Sequence, residues 1–156
     1  AHPSFHGKPA IILDIDETSL SNYPSMVKID FGGTLEQIRQ QEDEGLDPPI
    51  LPTLKFYQFA KDKNIAVIFI TGRFEYERDA TIKNLENAGY HHWDKLILRS
   101  KEYEQAKASD YKNAMRKQIT DQGYDIILNI GDQRSDLAGS NTGKNFKLPN
   151  PYYFIP

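Results

Sequence analysis

The feature that most constrains the fold is an apolar run that ends in a group of acids. Residues Ala10 to Leu13 have the length and composition of a strand buried on both faces of a sheet. Asp14, Asp16 and Glu17 follow this run at once. A buried carboxylate is costly unless it is paired or bound to a metal, and ligands of open α/β sheets bind at the carboxyl ends of strands. The run therefore predicts a cation site at a sheet edge, with an acidic turn or helix cap as the plainer alternative.

Apolar runs and helical patterns alternate along the rest of the chain, which predicts βαβ units and a parallel sheet. Strands are predicted at 10–15, 65–70, 95–98, 125–130 and 145–148, and the main helices at 54–63, 75–88 and 110–121, with Thr53 and Ser109 as caps. Residues 17–33 have loop composition, and a short helix is predicted at 35–44 behind a capping box of Thr34 and Gln37. The chain is interpreted as one α/β domain, 1–156, with a small cap-like insertion at 17–50.

Charge and composition exclude several functions. A net charge of −3 without a basic stripe gives no support for a nucleic acid polymer as partner. Because cysteine is absent, the chain has no disulfide, no thiolate nucleophile and no cysteine-bound zinc. No apolar run approaches the roughly 20 residues that a transmembrane helix needs. The oligomeric state stays open, as does the compartment, where a secreted or periplasmic mature chain and a cytoplasmic chain are both compatible with the sequence.

Three polar clusters that follow strands, together with one lysine, carry the expected chemistry. They are Asp14 with Asp16, Thr71-Gly72-Arg73, Asp132 with Asp136, and Lys112 near a helix start. Because the strands before them end at one edge of a parallel sheet, these residues should converge. Mg²⁺ takes one or two carboxylates, waters and a substrate phosphate, and a phosphate is suited by a hydroxyl, a backbone N–H and an ammonium group. With no cysteine and no suggestive Ser–His pair, a carboxylate is the remaining nucleophile. Taken singly, the lysine could be solvated, the last acid a helix cap and the Thr-Gly pair an ordinary turn.

Four motifs, in order, make the sequence similar to the haloacid dehalogenase (HAD) superfamily. Asp14-Ile15-Asp16-Glu17-Thr18 resembles the first motif, DxDx(T/V), and Ile70-Thr71-Gly72-Arg73 resembles the second. Lys112 matches the lysine of the third motif, and GDQRSD at 131–136 matches the fourth, GDxxxD. The segments LDIDETSLSNYP and ITGRFEYERDATIKNL resemble subfamily IIIB, which includes bacterial acid phosphatases and plant vegetative storage proteins. The resemblance covers about residues 10–140.

The resemblance implies a three-layer Rossmann-like fold and a role for each matching acid. Asp14 would be the nucleophile and a Mg²⁺ ligand, and Asp16 the general acid/base with its backbone carbonyl on the metal. Asp132 would bind the metal directly. Asp136 would bind it through water or orient Lys112.

The substrate side of the site is expected to use other residues. Thr71 and Gly72, with the motif-three lysine, would hold the transferring phosphoryl group. Arg73 has no family role and is expected to form a salt bridge within its loop. Tyr23 and Phe31 would stack on the base of a nucleoside monophosphate, or they would form a small hydrophobic cluster beneath the loop.

The expected function is Mg²⁺-dependent hydrolysis of small phosphate esters, nucleoside monophosphates among them, through an aspartyl-phosphate. A non-catalytic storage or binding protein on the same scaffold is the alternative. A phospho-accepting receiver domain is disfavoured, because here a second acid stands two positions after the nucleophile. Only 13 residues precede Asp14, fewer than in the family members, which leaves substrate preference and oligomer contacts open.

Overall fold

Five parallel strands form a sheet at the centre of the protein: β1 (Lys8–Leu13), β2 (Ala66–Phe74), β3 (Lys95–Arg99), β4 (Tyr124–Gly131) and β5 (Lys144–Lys147). The computed structural model describes residues 6–32, 34, 37 and 46–155. The strand order is β3-β2-β1-β4-β5. Strands are added first on one side of β1 and then on the other, so the order reverses between β1 and β4. In open α/β sheets such a reversal marks the ligand-binding crevice at the carboxyl ends of the strands.

Helices cover both faces of this sheet: α1 (Tyr23–Lys28), α2 (Leu51–Asp62), α3 (Arg78–Asn87), α4 (Ala108–Asp121) and α5 (Arg134–Leu137). Side chains of β1 alternate between two cores, as successive residues of a strand must. Ile11 and Leu13 pack in a core with residues of α2 and α3, whereas Ala10 and Ile12 pack in a second core with residues of α4. This arrangement confirms the predicted three-layer α/β fold with a central parallel sheet.

Two predictions near the insertion were wrong. Part of the predicted loop at 17–33 is helix α1, because Pro24 in its first turn fits helical geometry and Met26 is buried beneath it. Helix α2 begins at Leu51 rather than after Thr53, since Pro52 again occupies the first turn. Thr53 is buried inside the helix and does not cap it.

The other helix boundaries moved less. The predicted helix at 75–88 is a 3₁₀ turn, Glu75–Glu77, followed by α3. Helix α4 starts at Ala108, earlier than the predicted start at 110, because the Tyr111 N–H already donates to the Lys107 carbonyl at 3.1 Å. Ser109 lies inside this helix and is not its cap.

The predicted helix at 35–44 lies outside the described residues, except for Gln37. Both contacts of the predicted capping box are present. The Thr34 N–H donates to Gln37 Oε1 at 2.8 Å, and the Gln37 N–H donates to Thr34 Oγ1 at 3.2 Å. Among the described residues, no helix has the length and apolar character needed to cross a membrane.

Candidate active site

The crevice between β1 and β4 brings together acids that are far apart in the sequence. Leu13 pairs with Ile130 in the sheet register, and the Asp14 N–H donates to the Ile130 carbonyl at 3.0 Å. Asp14 therefore leaves β1 beside the point where β4 ends and the chain reaches Asp132. The two strand ends meet at the place where the sequence predicted a cation site.

Three carboxylates lie close enough to share one ion. One carboxylate oxygen from each of Asp14, Asp132 and Asp136 lies within 4.8 Å of the others, and all three residues are buried. Buried like charges at this spacing disfavour one another unless a cation lies among them. Because oxygen ligands are preferred by hard divalent cations, this donor set fits a metal ion.

Lys112 supplies the positive charge that the protein itself places in this cluster. Its Nζ donates to Asp14 Oδ1 at 2.6 Å and also to Asp136 Oδ1. Lys112 is only 5% exposed, so it is not the solvated lysine that its sequence alone would allow. Burial raises the pKa of Asp14 well above its ordinary value; Lys112 opposes this shift, and the neighbouring acids add to it. One ammonium group therefore does not balance the buried carboxylates.

Asp132 is fixed by neighbours on both of its oxygens. Gln133 Nε2 and Asn150 Nδ2 donate to Oδ2 at 2.6 Å and 2.7 Å. Thr18 Oγ1 donates to Oδ1 at 3.3 Å. Because both amides hold Oδ2, Oδ1 is the less crowded oxygen for a metal ion.

Asp136 is hydrogen-bonded through both of its oxygens as well. Oδ1 accepts from Lys112, and Oδ2 accepts the Gln133 N–H at 2.8 Å. Gly131 makes this position possible, since a Cβ on Gly131 would overlap the Asp136 side chain. The GDxxxD pattern therefore needs glycine at its first position for a steric reason. The contacts of Asp136 suit a residue that orients the lysine.

The buried guanidinium of Arg116 donates hydrogen bonds to backbone carbonyls at the end of α5. Arg116 Nη1 donates to the Asp136 carbonyl at 2.7 Å, and Asn129 Nδ2 donates to the same oxygen at 2.9 Å. Arg116 is 1% exposed, and it also donates to the Ala138 carbonyl. These bonds satisfy carbonyls at the end of a helix of only four residues, which could not satisfy them itself.

Asp16 faces a different partner. Its carboxylate accepts Nε and Nη2 of Arg73, at 3.0 Å to Oδ2 and 2.6 Å to Oδ1, and Asn22 Nδ2 donates to Oδ1 at 2.9 Å. Burial favours the neutral acid, but the charge and hydrogen bonds of Arg73 outweigh it and leave the pKa of Asp16 below its ordinary value. Arg73 does form a salt bridge, but its partner Asp16 follows a different strand, so the expectation of a salt bridge within the loop of Arg73 was wrong.

Thr71 and Gly72 occupy different positions relative to the cavity. Gly72 lines it, and a Cβ on Gly72 would meet nothing within 4 Å. Thr71 is fully buried, does not line the cavity, and accepts the Arg73 N–H on Oγ1 at 3.1 Å.

The acids line a cavity of about 630 Å³. Apolar side chains line it as well, among them Phe31, Tyr152, Phe74, Met26 and Ile29.

Tyr23 does not line the cavity, but its ring lies beside two rings that do. Its ring centroid lies 6.2 Å from that of Phe31 and 5.9 Å from that of Tyr152. Phe31 and Tyr152 stack on each other at 5.9 Å. The three rings form a small aromatic cluster in which Tyr23 and Phe31 are each 49% exposed, and Phe31 and Tyr152 also line the cavity.

Comparison with known proteins agrees with the motifs. The sequence model of the HAD superfamily, subfamily IIIB (acid phosphatase), matches residues 1–156. The chain belongs to this family. Acid phosphatase 1 of Solanum lycopersicum is 40% identical over 155 residues, which cover 96% of this chain and 60% of that protein. Vegetative storage protein 2 of Arabidopsis thaliana is 34% identical over 155 residues, which cover 93% of this chain and 56% of that protein. This chain therefore spans less than two thirds of either relative.

Solved structures of a bacterial acid phosphatase have the same fold. The Class C acid phosphatase from Bacillus anthracis superimposes with a TM-score of 0.78 at 26% identity, over 95% of this chain and 69% of that one. A second structure of that acid phosphatase, with tungstate bound, gives the same values.

Two residues with contacts near the site, Asp47 and Tyr153, were not predicted from the sequence. Asp47 contacts Arg73 from the insertion, and Tyr153 Oη donates to Glu17 Oε2 at 3.3 Å from the C-terminal segment. Glu17 has a left-handed backbone with φ of 55°, which is uncommon for a residue with a side chain. Burial raises the pKa of Glu17 to about 7. No spacing signal marks these contacts, because each joins segments that are distant along the chain.

Proposed function

We propose that this chain is a phosphomonoesterase that uses Mg²⁺ and an aspartyl-phosphate. The observation that supports the proposal most is the buried group of Asp14, Asp132 and Asp136 around Lys112, which lines a cavity of about 630 Å³. A structural salt bridge needs one acid for one base. This cluster has an excess of acids, which fits a site built for a metal ion and an anionic substrate.

The proposed reaction has two displacements at phosphorus. An oxygen of Asp14 attacks phosphorus, the bond from phosphorus to the alcohol oxygen breaks, and the alcohol oxygen takes a proton from Asp16. Water then attacks the same phosphorus and gives a proton to Asp16. The bond from phosphorus to Asp14 breaks, the carboxylate is restored, and inorganic phosphate leaves.

The remaining residues would position the phosphoryl group. Lys112 brings an ammonium group against Asp14, where it can also offset charge on a phosphoryl oxygen. Gly72 offers backbone at the cavity wall, and the Thr71 hydroxyl, whose oxygen accepts from Arg73, keeps its hydrogen for donation. The tetrahedral anion tungstate is bound in the structure of the related acid phosphatase, which supports an oxyanion site in this fold.

The metal is proposed to be Mg²⁺, held by Asp14 and Asp132, by the backbone carbonyl of Asp16, and by Asp136 directly or through water. Bound there, Mg²⁺ would neutralise charge on the phosphoryl group and so lessen its repulsion of the nucleophile. A dication is favoured because the three buried carboxylates carry more negative charge than the ammonium group of Lys112 can balance.

The substrate is proposed to be a small phosphate ester, nucleoside monophosphates included. Phe31 and Tyr152 give the cavity wall a flat aromatic surface on which a base could stack. Residues 17–50 would act as a small cap on the single domain, since Met26 and Ile29 from this stretch also line the cavity. Tyr23 would support the stacking surface from behind.

The test compares Asp14→Asn with the wild type, using p-nitrophenyl phosphate with Mg²⁺ or with EDTA. The amide keeps the shape of the side chain but is a poor nucleophile, so we expect activity to fall by about 10⁴-fold or more. EDTA should abolish wild-type turnover. Asp121→Asn is the matched control: Asp121 lies on the surface in a pair with Lys117, with a side chain 62% exposed, and its loss should leave turnover unchanged.

A storage or binding protein on the same scaffold is the second candidate, because relatives of this chain are named vegetative storage proteins. That candidate predicts no Mg²⁺-dependent turnover in the wild type on any ester of a metabolite panel. Turnover that survives Asp14→Asn would contradict both the nucleophile and the proposed route.

A further inference from the structure

The carboxylate of Asp132 accepts from two side-chain amides on the same oxygen. Gln133 Nε2 and Asn150 Nδ2 donate to Asp132 Oδ2 at 2.6 Å and 2.7 Å, and Asp132 is only 2% exposed. A carboxylate oxygen has two lone pairs, so these two donors fill Oδ2. Oδ1 has one partner among the described residues, the Thr18 hydroxyl at 3.3 Å. Oδ1 therefore keeps a lone pair for an ion, and Oδ2 does not.

The amide of Gln133 is oriented by backbone groups of residues 150–155. The Ile155 N–H donates to Gln133 Oε1 at 2.9 Å. Because a backbone N–H can only donate, this contact places the amide oxygen on the side of Ile155 and the amide nitrogen on the side of Asp132. Gln133 Nε2 also donates to the Tyr153 carbonyl at 3.3 Å, which favours the same orientation.

The amide of Asn150 is oriented by the chain that follows it. The Tyr152 N–H donates to Asn150 Oδ1 at 2.8 Å, and the Tyr153 N–H donates to the same oxygen at 3.3 Å. A bond from an Asn side chain to the backbone two residues on forms an Asx turn. Because this turn holds the amide oxygen, Nδ2 is directed to Asp132. Both donors to Asp132 Oδ2 therefore depend on the backbone of residues 150–155.

We propose that residues 150–155 position Asp132 so that it offers a metal ion one oxygen, Oδ1, and that this positioning favours Mg²⁺ over Ca²⁺. The inference rests on the proposed function, and within it on Asp132 as a metal ligand. Mg²⁺ demands near-octahedral geometry at about 2.0–2.1 Å, whereas Ca²⁺ takes about six to eight oxygens at about 2.3–2.6 Å, often with both oxygens of one carboxylate. With Oδ2 filled by two amides, Asp132 cannot supply the second oxygen that Ca²⁺ would use.

Ile155→Pro tests the backbone contact, with Ile155→Ala as the matched control. Proline removes the N–H that donates to Gln133 Oε1, whereas alanine keeps this N–H and shortens a residue that is 42% exposed. The measurement is calorimetric titration of the whole chain with Mg²⁺ or with Ca²⁺, in the absence of substrate. Ile155→Pro should bind Mg²⁺ about tenfold more weakly and lose less affinity for Ca²⁺, because a released Asp132 can offer Ca²⁺ both oxygens. Ile155→Ala should match the wild type in both titrations.

Asn150→Leu and Gln133→Met test the two amides themselves. Each replacement keeps the approximate size of the side chain and removes one donor to Asp132 Oδ2. Each should weaken Mg²⁺ binding more than Ca²⁺ binding, and the combined variant should bind Mg²⁺ about 10²-fold more weakly than the wild type. These variants also cover the case in which Ile155→Pro does not fold, which thermal unfolding in EDTA would reveal. Gln118→Met, at an exposed position of α4, is the matched control and should leave both affinities unchanged.

The outcomes distinguish failure of this inference from failure of the phosphatase. If the wild type binds no Mg²⁺ and releases no phosphate from p-nitrophenyl phosphate, the proposed function fails. If the wild type binds Mg²⁺ and hydrolyses the ester, but the variants lose affinity for both ions equally, the phosphatase stands and the effect on ion selectivity is overturned. Unchanged Mg²⁺ affinity in folded Ile155→Pro or in the combined variant would overturn the positioning role itself.

Discussion

Replacement of Lys112 by Met tests the charge balance of the site in the absence of any substrate. The two side chains have similar length, but Met removes the ammonium group that contacts Asp14 and Asp136. Removing one partner of a buried ion pair costs about 3–5 kcal/mol, because the other charge remains buried. Since a domain has about 5–15 kcal/mol of stability in all, the loss should be plain in EDTA at neutral pH.

Urea unfolding followed by circular dichroism measures this loss. Lys117→Met on the same helix is the control: its pair with Asp121 is 67% and 62% exposed, so it should cost less than about 1 kcal/mol. Saturating Mg²⁺ should narrow the difference in unfolding free energy between Lys112→Met and wild type. Without the ammonium group the acids attract the ion more strongly, so it binds the folded variant more tightly and stabilises it more than the wild type. Lowering the pH should narrow it too, since the raised pKa of Asp14 lets that acid take up a proton. A loss no greater than that of Lys117→Met, or one that Mg²⁺ does not change, would refute the reasoning.

Three further predictions concern the surroundings of the acids. Gly131→Ala should displace Asp136, lower stability by about 1–3 kcal/mol and reduce turnover, as shown by thermal unfolding beside a phosphatase assay; unchanged activity would mean that Asp136 tolerates the shift. Folding raises the pKa of Glu17 from 4.5 to about 7, so the folded chain holds that proton more tightly and stability in EDTA should fall as pH rises through this window. Glu17→Gln should flatten that dependence, by up to about 3 kcal/mol across the window, and an identical pH profile in both proteins would count against the shift. Asn150→Ala removes one donor to Asp132 Oδ2 and should weaken Mg²⁺ binding by about tenfold in calorimetric titration, whereas unaltered affinity would show that Gln133 suffices.

The sheet and the central acids were predictable because each has a local signal. Apolar runs such as Ala10 to Leu13 are buried on both faces and must be followed by polar chain, so their ends mark the edge where ligands bind. The spacing from Asp14 to Asp16 then assigns two carboxylates to that edge. Lys112 could be predicted as a site residue only from the motifs, because its neighbours in the sequence do not distinguish a buried lysine from a solvated one.

What the sequence did not predict depends on contacts between distant segments. In the sequence, Asp47 is an ordinary polar residue before two prolines. In the structure, its Oδ2 accepts a hydrogen bond from Asn84 Nδ2 at 2.8 Å. Asn150 lies in an irregular C-terminal segment and still reaches Asp132. Helix α1 was missed because Ser, Asn and Pro favour loops on average, whereas Pro24 in a first turn is compatible with a helix.

The most direct test of the account is to find where the phosphoryl group goes. Wild-type protein with Mg²⁺ and a phosphate ester, quenched in acid during turnover and digested, should yield a peptide containing Asp14 that carries one phosphoryl group, detected by mass spectrometry. The account predicts that Asp14→Asn yields no such peptide. Turnover with a phosphoryl group on any other residue, or rapid hydrolysis by Asp14→Asn, would contradict the claim that Asp14 accepts the phosphorus atom.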